Sequence, residues 1–141
     1  MKTLKTLLTA CLLVLGIGAF ADELNTSNKL GIDYALKTYL DAIGEGKVKN
    51  LASILDNDVK FTISRGEKIL NYSKSEMLSS LKSQENVKQN CTTEYLVVEK
   101  NPTQSIVKVT QKYENFTRVN FVTFNNTAKG WKITNVSSSF N

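Results

Sequence analysis

Four β-rich runs fill the last third of this chain, and they follow its helical segments rather than alternating with them. They span Cys91 to Glu99, Ser105 to Tyr113, Phe116 to Phe124 and Trp131 to Ser138, and β-branched and aromatic residues dominate them. Their connections hold Asn101-Pro102, Glu114-Asn115 and the Asn125 to Gly130 stretch, which is the chemistry of tight turns. Strands joined this way pair antiparallel. In the second run Val107, Val109 and Tyr113 alternate with Lys108, Thr110 and Lys112, so one face is buried and the other is wet. Helices first and strands afterwards make an α+β fold.

The helical part opens with Ile32, Ala35, Leu36, Tyr39, Leu40 and Ile43, spaced by three and four, which predicts one amphipathic helix over Leu30 to Ile43. Gly44 and Gly46 end it. A second, shorter helix is expected with Val48, Leu51, Ala52, Ile54 and Leu55 on its apolar face, broken by Asp56-Asn57-Asp58. Val59 to Ile63 then reads as a strand, with a turn at Arg65-Gly66-Glu67 and a short return around Ile69 to Tyr72. Ser73-x-x-Glu76 has the form of a capping box, and Met77, Leu78 and Leu81 face inward from the third helix, which should run to about Lys82.

Residues 1–21 have the order of an export signal: Lys2 and Lys5, an apolar core from Leu7 to Ile17, and Ala19-Phe20-Ala21 ahead of Asp22-Glu23. The apolar run is short of the roughly 20 residues that span a bilayer. Cleavage after Ala21 leaves a short disordered lead at 22–28 and one domain at 29–141, periplasmic or secreted. A competing motif, Leu8-Thr9-Ala10-Cys11, resembles a lipobox and would instead make Cys11 a lipidated N-terminus. Most of the apolar core follows that cysteine, which favours cleavage at Ala21.

The leader takes two of the 18 basic residues and none of the 13 acidic ones, so the mature chain carries +3. Its charges are scattered, without the concentrated basic face that a phosphate backbone requires, which argues against a nucleic-acid partner. Cys91 alone remains after cleavage, so no intramolecular disulfide can form. The chain has no histidine, which removes Ser-His and Cys-His nucleophile chemistry and the commonest metal ligand.

Three segments in this order carry a resemblance: Tyr39-Leu40-Asp41-Ala42-Ile43-Gly44-Glu45-Gly46, then Leu51 to Phe61, and finally Gly130-Trp131-Lys132-Ile133-Thr134-Asn135-Val136. The chain resembles the nuclear transport factor 2-like, or SnoaL-like, superfamily, as a small exported bacterial member. Lys47 departs from the aspartate that many members carry after the glycine. The resemblance implies a cystatin-like cone, in which a curved antiparallel sheet wraps the N-terminal helices around a pocket open at one end. No cofactor and no metal are expected, and the resemblance carries the expectation of a homodimer through the outer sheet face.

The resemblance also places pocket residues. Beside the isomerase branch, Tyr39 falls where that enzyme has its oxyanion-stabilising tyrosine, and Asn120 where it has a protonated aspartic acid. Ile63 falls at the catalytic base, and it cannot accept a proton. With Met77, Leu81 and Trp131 these make the pocket candidates. Two functions follow from this set. One is a non-catalytic domain that binds a small apolar or amphipathic molecule, or a partner. The other is an isomerase-, dehydratase- or cyclase-type enzyme using Tyr34 or Tyr39, Asn120 and a carboxylate such as Glu94. The missing base favours the first. A third reading, a closed cone plugged by Phe61, Met77, Leu81, Phe121 and Trp131, leaves no room for a ligand.

Intact-mass measurement on the exported protein should give a chain beginning at Asp22. A mass carrying a lipid on Cys11 would overturn cleavage at Ala21.

Overall fold

The computed structural model describes residues 29–141; the export signal, the lead at 22–28 and the Cys11 motif lie outside the described residues. Among the described residues, helices precede or interrupt six strands. Helix α1 (Ile32–Glu45) and the single turn α2 (Leu51–Ile54) lead into β1 (Leu55–Arg65) and β2 (Lys68–Tyr72). Helix α3 (Lys74–Lys82) follows, then β3 (Thr92–Lys100), β4 (Gln104–Lys112), β5 (Thr117–Thr127) and β6 (Gly130–Phe140). The strands form one curved, unclosed sheet in the order β2-β1-β6-β5-β4-β3. Every neighbouring pair is antiparallel except β1 with β6, which run parallel. Among the described residues no helix is long and apolar enough to cross a membrane.

Of the stripe its spacing predicts, Ile32 and Leu40 are partly buried against the core, while Ala35, Leu36, Tyr39 and Ile43 are buried, together with Ala42. They meet Val107 and Val109 of β4, Val122 and Phe124 of β5, and Ile133 and Val136 of β6 in one core. On β4 the buried residues fall at every second position, and on β5 Asn120, Val122 and Phe124 do, with Val119 buried out of phase near the strand's start. Phe121 has the opposite parity to Phe124 and is 42% exposed on the outer face. It therefore plugs nothing, which corrects its place in the closed-cone set.

Helix α3 begins on the capping box read from the sequence. The Ser73 backbone N–H donates to Glu76 Oε2 at 2.7 Å, while the Glu76 N–H donates to Ser73 Oγ. The Ser73 N–H and the Ser73 hydroxyl, both donating to Glu76 Oε2, hold the Glu76 carboxyl pKa below its ordinary value.

The second helix is a correction. It is four residues long, and Leu55 already belongs to β1, where it is buried. Asp56-Asn57-Asp58 lie inside the strand, where the β1–β6 register jumps between Leu55 and Lys60. The Asp58 N–H donates to Asp56 Oδ1 at 3.0 Å, a local bond that takes this stretch out of the ladder. Short polar side chains break the helix as expected, but the chain resumes as a bulged strand.

Gly46 shapes the mouth of the cone. It caps α1 with φ +69°, and its carbonyl accepts from the Asn86 N–H at 2.9 Å, while the Gly44 carbonyl accepts from the Gln89 N–H at 2.8 Å. The loop after α3 is thereby laid along the end of α1. A Cβ at Gly46 would lie 2.7 Å from the Val87 N and 2.8 Å from the Asn86 N. Gly66 also has positive φ but faces open space. Gly66→Ala should therefore cost only the left-handed penalty, about 1 kcal/mol. Gly46→Ala adds displacement of the loop, for a total of roughly 2–4 kcal/mol. Denaturant titration of the two variants checks this, and equal losses would show that the loop contact is unimportant.

Candidate functional site

Two adjoining spaces open at the end of the cone where β5 begins and β6 ends. The inner one is a cavity of about 70 Å³, walled by α1, β1, α3 and the loop after α3. The outer one is a cleft of about 460 Å³ between α3, the β1–β2 hairpin and the end of β6. Met77, Leu81, Gln84 and Arg118 are walls of both. The inner cavity holds only a few waters, since each occupies about 30 Å³ in the liquid. The outer cleft has the size of a small-molecule site.

The sequence candidates divide between these spaces. Tyr39 faces the inner cavity, Ile63 faces the outer cleft, and Met77 and Leu81 face both. Asn120 lies on the inner face of β5, fully buried, two residues from Arg118. Trp131 sits at the opposite end of the β5–β6 hairpin, paired with Asn126, where it packs against the core and walls neither space. A flat apolar ring suits a pocket wall, but that says nothing about which end of the cone the residue occupies. Tyr34 also packs on the core without facing either space. Glu94 is a further correction. It stands exposed on the edge strand, where it pairs with Lys112 at 3.2 Å, and it lines neither space.

The group beside Asn120 is a cation. Arg118 Nε donates to Asn120 Oδ1 at 3.1 Å, and Ser138 Oγ donates to the same oxygen at 2.5 Å. Two donors fix the amide's orientation, because a flipped amide would point its NH₂ at Arg118 Nε. Asn120 Nδ2 is then left buried without a partner. On β4, in register with Arg118, Gln111 is also fully buried. Its Nε2 donates to the Ile43 carbonyl at 3.4 Å, and its Oε1 has no partner. An orphaned buried polar group costs roughly 1–3 kcal/mol, so this end of the cone carries polarity that packing does not explain.

Aromatic rings frame the same end. Tyr113 stacks on Phe116 with centroids 4.4 Å apart, and Phe116 lies 6.1 Å from Phe140. The guanidinium carbons of Arg65 and Arg118 lie 5.4 Å and 5.8 Å from the Phe140 centroid, within cation–π range. Burial pushes the Tyr39 hydroxyl up to about 12, against the opposing pull of Arg118, so at neutral pH Tyr39 is a hydrogen-bond donor and not a base. Burial also raises Tyr113, followed by the effect of neighbouring Cys91, with Arg118 again opposing.

The sequence reading passes over Arg118, Gln111 and Tyr113. The period of two contains the signal: Arg118 shares the face of Asn120, Val122 and Phe124, and Gln111 shares that of Val107 and Val109. A charged residue in phase with a buried series is the mark of a site.

Solved structures of low identity share this fold. A protein of unknown function from Methylobacillus flagellatus KT, described as similar to nuclear transport factor 2, aligns with TM-score 0.65 at 16% identity, over 85% of this chain and 93% of its own. A second, from Silicibacter pomeroyi DSS-3, gives 0.62 at 13%, over 83% and 97%. A third, from Cytophaga hutchinsonii ATCC 33406, gives 0.59 at 20%, over 77% and 93%. A search of curated protein sequences finds no match. A family model with the description "Putative lumazine-binding" matches residues 27–139, well over half of the chain. The protein therefore belongs to that family and, through it, to the nuclear transport factor 2-like superfamily.

Proposed function

We propose that this chain is a binding domain for a flat, amphipathic small molecule, seated in the outer cleft and held without turnover. The observation that carries the reading is the cleft itself. It measures about 460 Å³ and joins apolar walls at Ile63, Met77 and Leu81 to the rings of Tyr72 and Phe140. A bicyclic heteroaromatic such as the lumazine that names the family is of a size and shape to lie there. Binding is favoured over catalysis because the isomerase base position is Ile63, and the polar group next to Asn120 is a guanidinium that cannot abstract a proton.

Lumazine fluorescence provides the test. Titration with the mature protein should give a saturable change at one equivalent per subunit. Ser80→Trp, at an exposed α3 position that lines the cleft, should weaken binding at least tenfold, about 1.4 kcal/mol, without unfolding the chain. No saturable change, or equal binding by the variant, would remove lumazine and the cleft from the reading.

A homodimer through the outer sheet face fits the same picture. Leu96 is in register with Lys108, and Lys108 with Phe121, so this outer row carries two exposed apolar side chains, 64% and 42% accessible. Sedimentation should show a dimer that Phe121→Glu converts to a monomer, and a monomeric wild-type protein would exclude this interface.

A further inference from the structure

The two guanidinium groups at the mouth of the cone have no anion to meet. Among the described residues the ion pairs involve only lysines, so neither Arg65 nor Arg118 is matched by a carboxylate. Arg118 is half-buried, and its Nε is committed to Asn120, which fixes the plane of the fork and leaves its terminal nitrogens without a hydrogen-bond partner among the described residues. Among the described residues Glu76 is the only acidic side chain lining the cleft, and its carboxylate accepts from the Ser73 N–H and Oγ in the capping box. The cleft thus has two positive groups and one negative group already engaged. Sequestering a cation this way is unfavourable unless something compensates it, and a planar fork with free N–H groups matches a carboxylate in two-point geometry.

We propose that the molecule bound here is an organic acid, with its apolar body on Met77, Leu81 and Ile63 and its carboxylate on the Arg118 fork, with Arg65 supporting it from the rim. This rests on the reading of the cleft as a ligand site and adds the ligand's charge and orientation. Asn120 acts as a positioning residue, because it turns the Arg118 fork through the Nε bond and does not touch the ligand. The neighbouring Phe140 ring limits the directions in which both guanidinium groups can lie.

The test is calorimetric titration of the mature protein with three probes that share one body: 2-naphthoate, its methyl ester and 2-naphthylmethylammonium. Naphthoate should bind at least about tenfold tighter than the ester, and the ammonium probe weakest, as charge-assisted bonding to one fork requires. Arg118→Gln should abolish the difference in affinity between naphthoate and the ester. Arg65→Gln, at an exposed position where folding is not at risk, should reduce the preference about threefold and make it less sensitive to salt. Asn120→Ala should lower the naphthoate preference while binding of the ester persists. Equal binding of acid and ester by the wild-type protein would overturn the anionic head and leave the cleft as a ligand site. If no probe binds at all, both the inference and the cleft reading fail. A preference that survives both arginine substitutions would also overturn the assignment.

Discussion

One contact organises this molecule: the apolar stripe of α1 seated in the concave face of the sheet. Ala35, Leu36, Tyr39, Ala42 and Ile43 on the helix oppose alternate positions of β4, β5 and β6. Each large side chain of such a set contributes on the order of 1.5–3 kcal/mol by leaving water. The curvature that brings these strands around one helix also determines where the lining stops being apolar. Moving along β5 from Phe124 through Val122 to Asn120 and Arg118, successive inner positions change from hydrocarbon to amide to guanidinium. The core and the site are therefore two ends of the same row of side chains.

That gradient makes the site a departure from what stability alone would select. A buried amide with one orphaned donor, a buried glutamine with one orphaned acceptor, and a half-buried cation without a counter-ion each weaken a fold. Their cost is concentrated within a few positions of one another, at the one end where the helix and the loop after α3 leave space. The Gly46 turn is part of this arrangement. By letting the loop hydrogen-bond to the end of α1, it carries Gln84, Val87 and Gln89 into the cavity wall. Backbone geometry at one glycine thus sets the shape of a surface many residues away in sequence.

Much of the architecture is legible in the sequence because its signals are periodic. The three-and-four spacing of α1, the capping box of α3 and the alternation in β4 each report a local rule that the tertiary structure keeps. The Asp56-Asn57-Asp58 bulge and the parallel β1–β6 pair are not legible in the same way, since they depend on how distant strands meet. The site shows the same division. Sequence comparison finds Tyr39, Ile63, Met77 and Leu81, which face the two spaces, and Asn120, which lies beneath Arg118. It takes Trp131 for a wall because aromatics suit pockets, although only the hairpin's direction decides which end that residue occupies. Arg118 escapes notice because a comparison with catalytic relatives looks for bases, and an arginine is not one.

The difference between a base and a cation also decides what this cone can do. A nuclear transport factor 2-like pocket that abstracts protons needs a carboxylate whose basicity is preserved, near donors that stabilise the negative charge it creates. Here the donors remain, in the protonated Tyr39 hydroxyl and the polar end of β5, but the charge beside them is already positive. Any carboxylate entering the cleft, whether a ligand's or a side chain's, meets guanidinium groups that favour its ionised form and make it a weaker base. On the proposed reading the same electrostatics strengthen the retention of an acid. On that reading, the small inner cavity and the open outer cleft together set where a molecule rests and which way its charge points.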